Sequence, residues 1–292
     1  MKHKKTISLL VLCIALASAF ATTAGIFSKG GPGPYAYQSI RGKTVTIYGK
    51  GLYQHMSAEV APEGIAQDYV TLFLGIPLLL ISLYRANKGS VRGRVLLSGV
   101  LGYFLVTYLF YLVMAMYNAL FLVYVFLLGA SFFSFLLSLS LLDVNKLPAA
   151  FHPSTPVKTT GGFLIFNSLS IALLWLSIIV PPLWNGTIIP TQTEHYTTLI
   201  VQGLDLAILL PTAFVSGVLF IWKQPTGYLL APVYFVFLSV LMTALTAKIV
   251  AMALLGYHVI PVVFIIPAFN LAAIACTIVL LKNIKPINKN DD

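Results

Sequence analysis

The chain has 292 residues, of which 59% are hydrophobic and only 9% are charged, with 18 basic against 8 acidic side chains. Soluble domains hold about 25% charged residues, and a mean hydropathy of +0.92 excludes a soluble enzyme, a nucleic-acid binder and a disordered chain. The formal charge of +10 then answers to membrane topology, and no nucleic-acid partner is expected.

A bilayer core needs about 20 apolar residues per helix. Eight runs qualify, at about 6–27, 67–85, 94–117, 119–142, 162–182, 198–222, 227–255 and 259–281. They are continuously apolar and lack the in-out alternation of a barrel strand. In lipid each backbone can satisfy itself only as a helix. The fold class is therefore all-α, a polytopic membrane protein of eight transmembrane helices. Its divisions are a first helix at 1–27, an extracytoplasmic cap at 28–66, helices 2–4 within 67–142, a cytoplasmic loop at 143–161, helices 5–8 within 162–282 and a cytoplasmic tail at 283–292.

Orientation follows the distribution of Lys and Arg. Thirteen lie in the segments on one side of the spans, four (Lys29, Arg41, Lys43, Lys50) in the 28–66 segment, and Lys248 inside a span. That asymmetry places both termini in the cytoplasm of a cell membrane. The first span admits a second reading. Met1–Lys5 is basic, Ile7–Phe20 apolar, and Ala19-Phe20-Ala21 fits a signal-peptide cleavage site. Either the span is removed, leaving seven helices and an outside N-terminus, or it stays. The apolar run through Ile26-Phe27 favours a retained helix.

In the cap, Lys43–Tyr48 alternates and Gly49-Lys50-Gly51 reads as a turn, so a short strand or hairpin is expected. His55, Glu59 and Glu63 follow at four-residue spacing. On a helix the first two would share a face and suit a metal, but Pro62 interrupts the pattern. A solvated short helix is expected, with no metal or other cofactor. Asp68 is expected to open the second span, where an acid complements the helix dipole, with Gln67 and Gln202 satisfying terminal amides. Tyr108, Tyr111 and Tyr117 suit the outer interface. Ala130, Ser134 and Ser138 form a stripe for close helix approach. Asn167 and Asn270 suggest interhelical hydrogen bonds. Pro77, Pro211, Pro232 and Pro267 are candidate kinks. Cys13 and Cys276 lie in apolar runs and imply neither a disulfide framework nor a metal site.

The second and sixth spans resemble each other. Gln67-Asp68 opens one, which closes at Arg85 before a glycine-containing turn. Gln202 and Asp205 open the other, which closes at Lys223 before Pro225-Thr226-Gly227. Each is followed by two more spans, so helices 1–4 and 5–8 read as two copies of one unit. Four crossings return the chain to the same side, making the copies parallel. In transporters built this way the site lies between the halves.

Asp205 and Lys248 stand in apolar spans, where a charge costs roughly 2.5–3.5 kcal/mol on insertion scales. Helical rise puts both near the outer face, on helices joined by a tight turn, so an Asp205–Lys248 ion pair is one reading. Separate contact with the headgroups, Lys248 by snorkelling, and a role as substrate counter-ion or proton relay are the others. Glu194, His195 and His258 lie on the same outer side. No HExxH, GxSxG, phosphate loop or zinc spacing is present, so the reading leans away from an enzyme. Lys248 is in the penultimate helix and near the surface, which does not fit a retinal attachment lysine.

Tyr48–Tyr53, Gln67-Asp68, Tyr117–Phe121, Asp205 through Pro211 and Pro225–Tyr228 resemble a family of uncharacterised prokaryotic integral membrane proteins with no established activity. The resemblance implies a prokaryotic cytoplasmic membrane and transfers no catalytic residue or cofactor. Three functions stay open. The first is a small-solute transporter or channel, with its site between the halves near the outer face. The second is a sensor or assembly protein binding a ligand or partner through the 28–66 cap. The third is a lipid-acting enzyme. The bilayer is the expected partner, and a homo-oligomer remains open.

Overall fold

The computed structural model describes residues 3–285; Lys2 and Lys289 of the basic set, and the tail from 286 onward, lie outside them. Eight helices are long and apolar enough to cross a membrane: α1 (Lys4–Phe27), α2 (Val60–Asn87), α3 (Val91–Met114), α4 (Phe121–Leu139), α5 (Val157–Trp184), α6 (Ile200–Ile221), α7 (Pro225–Leu254) and α8 (Val262–Asn283). The protein is an all-α polytopic membrane protein. One end of the bundle carries the 28–59 segment, hereafter the cap side. The other carries the Lys- and Arg-rich turns, hereafter the basic side.

The largest departure from the sequence reading is at α2. It starts at Val60, not near residue 67, and runs unbroken into the bundle. Pro62 does not stop it, because in the first helical turn proline removes an amide that had no partner anyway. His55 lies before this helix, so His55 and Glu59 do not share a helical face. Asp68 is the ninth residue of the helix and fully buried, rather than an interfacial residue of the first turn.

The centre is the pair α3 and α7. In each, 61% of the most apolar stretch is buried within the protein, against 17% for α5 and α8, whose large apolar side chains face outward as lipid contact requires. In lipid, apolar burial gives little drive for helix association, so close backbone approach through small residues matters more. Gly99 of α3 supplies that approach, lying directly on Val233 and Val236 of α7. The expected stripe on α4 is inside the protein: Ala130, Ser134 and Ser138 are all buried, and Ser138 meets Ser98 of α3 at 2.9 Å.

Several local features of α2–α3 recur in α6–α7 at one constant spacing along the chain. Thr71–Gly75 and Asp205–Leu209 are both π turns, closed by i+5 bonds from Ile76 to Thr71 and from Leu210 to Asp205. Pro77 and Pro211 stand at the same distance beyond each. Proline lacks the amide that would continue the i−4 ladder, so the preceding turn widens. Ser82 and Ser216 are both fully buried. Gly89 and Lys223 both take the left-handed conformation that ends a helix, at φ 85° and 56°. Gly93 and Gly227 then press on the closing turn of the helix before them. In this register Asp205 matches Thr71, and Gln202 matches Asp68; the two aspartates are not counterparts.

The cap is a hairpin whose strands β1 (Tyr35–Gln38) and β2 (Thr44–Ile47) pair antiparallel. The expected strand is present, but its partner precedes it. The cap reaches across to the α5–α6 connection. Arg41 donates to the carbonyls of Tyr196 and Thr197 at 2.8 and 2.9 Å, and Lys43 to that of Thr191 at 2.6 Å. On the basic side, Arg92 of α3 donates to the carbonyl of Ile284 beyond α8. Each end of the bundle is thus tied across the two halves.

Candidate functional site

Asp68 has no exposed surface and accepts two phenol hydrogen bonds, from Tyr53 at 2.6 Å and Tyr111 at 2.8 Å. Tyr53 comes from a single helical turn, Gly51–Tyr53, in the cap. Burial, and after it the charge of Asp68, hold its phenol protonated well above the ordinary range, so it remains a donor. On its other side the carboxylate rests on the backbone of α1. A Cβ built on Gly25 would lie 1.8 Å from Oδ2. Rings of Tyr108 and Tyr124 close the remaining side, with Tyr124 5.4 Å from Tyr111 and 6.2 Å from Tyr108, centre to centre. Tyr108 and Tyr111 therefore line an interior; Tyr117, lying between α3 and α4, is the exposed one.

Beside and below Asp68 the polarity continues. Gln67 is buried and donates to Tyr103 at 2.8 Å and to Thr107 at 3.3 Å, rather than to a helix terminus. Thr71, which opens the π turn, meets Tyr103 at 2.7 Å.

In the second half, Asp205 opens its own π turn and accepts from the indole N–H of Trp175 on α5 at 2.8 Å. It does not bond to Lys248. Among the described residues the one ion pair joins Asp143 and Lys146 on the basic side. Both groups lie toward the cap-side ends of their helices, but α6 turns Asp205 toward α5. The carboxylates whose charge reaches Lys248 are Glu63 and Asp68 of α2 and Asp205 of α6. Lys248 thus lies between carboxylates from both halves. We expect Asp205→Asn and Trp175→Phe to couple in a double-mutant cycle of thermal stability by about 0.5–3 kcal/mol, as contacting pairs do. Asp205→Asn with Lys248→Met should couple less. A larger coupling in the second cycle would mean that the two charges touch.

The remaining candidates diverge. His195 is drawn under the cap, its Nε2 3.0 Å from the carbonyl oxygen of His55 and its ring 4.4 Å from that of Tyr196. Tyr196, whose oxygen accepts from the Ser57 amide at 3.2 Å, has its phenol pushed up to about 12 by burial. Glu194 takes a positive φ of 49° and has a buried oxygen, Oε2, without a partner. Gln202 is half-buried and His258 exposed, and neither joins the Asp68 group. Asn270 bridges to Thr243 and Thr246 of α7 at 3.3 and 3.4 Å, whereas the buried Oδ1 of Asn167 has no partner. No group of three potential metal-ligating side chains occurs among the described residues. A cleft of about 340 Å³ lies at the cap edge, between 51–55 and Tyr117-Asn118-Ala119.

No protein-family model, curated protein or solved structure matches this chain. The functional reading therefore rests on the site itself.

Tyr53, Gly25, Trp175 and the Glu63–Lys248 proximity were not identified as site features from the sequence. Tyr53 and Gly25 act through contacts that the cap makes only after folding back. A signal did exist for the π turns: in both α2 and α6 a proline follows an acid or amide inside an apolar run.

Proposed function

We propose that this protein is a membrane transporter or channel for a small solute, made of two parallel four-helix repeats. Its site lies between the halves on the cap side, where Lys248 of α7 feels the charges of Glu63 of α2 and Asp205 of α6. One observation carries the reading. α2 and α6 are interrupted by π turns at matching positions, and each carries a carboxylate at or just before the break. Helices interrupted at corresponding places in two halves are where transporters of this kind bind substrate, and π turns gather at functional sites. A buried carboxylate without a bonded cation is costly in a membrane and points to an ion or substrate path. By the positive-inside rule the basic side faces the cytoplasm, and a prokaryotic cell membrane suits both the topology and the resemblance.

The test is electrical. Purified protein in liposomes on a solid support should give transient currents when members of a panel of amino acids and small ammonium ions are added. Glu63→Gln and Asp205→Asn should each reduce them about tenfold or more, equivalent to at least 1.4 kcal/mol. Currents unaffected by both substitutions, or absent for every solute, would overturn the reading. The cleft at the cap edge favours a second reading, a sensor or assembly protein engaging a ligand or partner there. That reading predicts binding without flux, abolished by deleting the hairpin.

A further inference from the structure

Asp68 and its surroundings hold a feature that solute binding between the halves does not use. The carboxylate is walled by Gly25 of α1, Tyr53 of the cap, Tyr111 of α3 and the ring of Tyr124 of α4. The contact at Gly25 is already so close that not even a methyl group fits. Any metal or organic cation would need room there. A proton needs none.

The same interior contains hydroxyls without a well-formed hydrogen bond. Those of Ser18 on α1, Tyr108 on α3 and Tyr124 on α4 close no hydrogen bond of good geometry, on residues 0, 0 and 2% exposed, although Ser18 stands beside Tyr108, and Tyr124 beside Tyr53. Two more, Ser131 and Ser134, follow down α4, before Ser138 meets Ser98 at 2.9 Å. Tyr124, Ser131 and Ser138 are spaced by two helical turns each, so they share one face. Together they cover about 20 Å of the roughly 30 Å apolar thickness, at 1.5 Å per residue. A buried hydroxyl without a well-formed bond is uncommon in proteins, and here five gather along one seam that ends at a carboxylate. Groups that both donate and accept, bridged by water, are what a hydrogen-bonded path requires.

We propose that Asp68 is a proton-binding carboxyl, loaded through a hydrogen-bonded path along the buried hydroxyls of α1, α3 and α4, which makes the proton the coupling ion. The last clause rests on the transport reading; the proton site itself does not. The step is a transfer without bond change at carbon. Each hydroxyl or water accepts a proton on a lone pair and releases the one it held, and the last transfer converts carboxylate to carboxylic acid. The charged and titratable groups around Asp68 are Tyr53 from the cap, Tyr103, Tyr108 and Tyr111 from α3, Tyr124 from α4 and Lys248 from α7. α1 presents only Gly25. Lys248 is the cation within reach, so loading Asp68 changes the balance of charge around the proposed solute site.

Two measurements on the full chain test this. The infrared band of a protonated carboxyl should titrate in wild type and be absent in Asp68→Asn. In liposomes loaded with a pH-sensitive dye, potential-driven proton uptake should fall at least tenfold in the Tyr108→Phe/Tyr124→Phe double variant. Because neither hydroxyl closes a hydrogen bond of good geometry, the unfolding temperature of that variant should stay close to that of wild type. The proposal is overturned if wild type lacks the band, if the band persists in Asp68→Asn, or if the double variant takes up protons at the wild-type rate. A titrating band and proton uptake without solute current would uphold the proton site and sink the transport reading. Solute current that persists in Asp68→Asn would sink the coupling while leaving transport.

Discussion

Gly99→Leu is expected to destabilise the bundle by about 3 kcal/mol or more, at the upper end of overpacking costs. A Cβ at this position would stand 2.4 Å from the Cβ of Val236 and 2.7 Å from the carbonyl oxygen of Val233. Neither atom moves without moving the backbone of α7, so relief requires α3 and α7 to separate. That contact joins α3 of the first half to α7 of the second, and separation there leaves the halves held by the packing of α2 on α7 and by the ties at the two ends, Arg41 and Lys43 on the cap side and Arg92 on the basic side. Gly102→Ala is the matched control. Its Cβ would meet Phe135 at 3.6 Å and Phe237 at 3.8 Å, ordinary contact distances. Thermal unfolding in detergent should show a large drop for the first and little change for the second. Equal melting of the two would mean that the halves are not joined through Gly99.

If the halves do meet there, the two interrupted helices flank a joint between two packed units. α7 packs against both α2 and α6, carries Lys248 near its cap-side end, and receives Gly99 toward its basic-side end. A change of charge near Lys248 therefore acts on the helix that both halves share. Allosteric language needs two states and a differential contact. Here the physical means is the loaded or unloaded Asp68, and the shared element is α7.

The sequence was most informative where the physics is local. Hydropathy summed over some 20 residues decides whether a segment crosses the membrane, so all eight spans were legible, and ten of the 16 expected limits fall within two residues of those observed. The early start of α2 was missed because Pro62 and Glu63 lower the local hydropathy, although a proline in a first turn is harmless. Which way a charge points is not local. It depends on how the helix is rotated against its neighbours, and one residue of rotation, about 100°, separates a partner on α5 from a partner on α7. That Asp205 and Lys248 fall toward the same end of the bundle was therefore readable, and which side chains they meet was not. Asp68 shows the same limit in another form, since its two phenols come from α3 and from a cap turn 15 residues upstream.

Gly25→Ala should be nearly as damaging as Gly99→Leu, and for a different reason. The added methyl would lie 1.8 Å from Oδ2 of Asp68 and 2.8 Å from the hydroxyl of Tyr53, so a buried carboxylate must leave its phenols or α1 must leave the bundle. Losing charge-assisted hydrogen bonds inside the protein costs about 1.5–3 kcal/mol, and the displaced acid has no other donor at hand. Asp68→Ser removes the clash, so Gly25→Ala/Asp68→Ser should be more stable than the two single losses summed, with a coupling of about 0.5–3 kcal/mol. Wild-type melting of Gly25→Ala alone would show that α1 does not pack on Asp68. That outcome would also remove the wall that makes the proton the one cation able to occupy the site. A compensating double variant would instead place α1 within the machinery, because the residue that Asp68 needs there is one with no side chain.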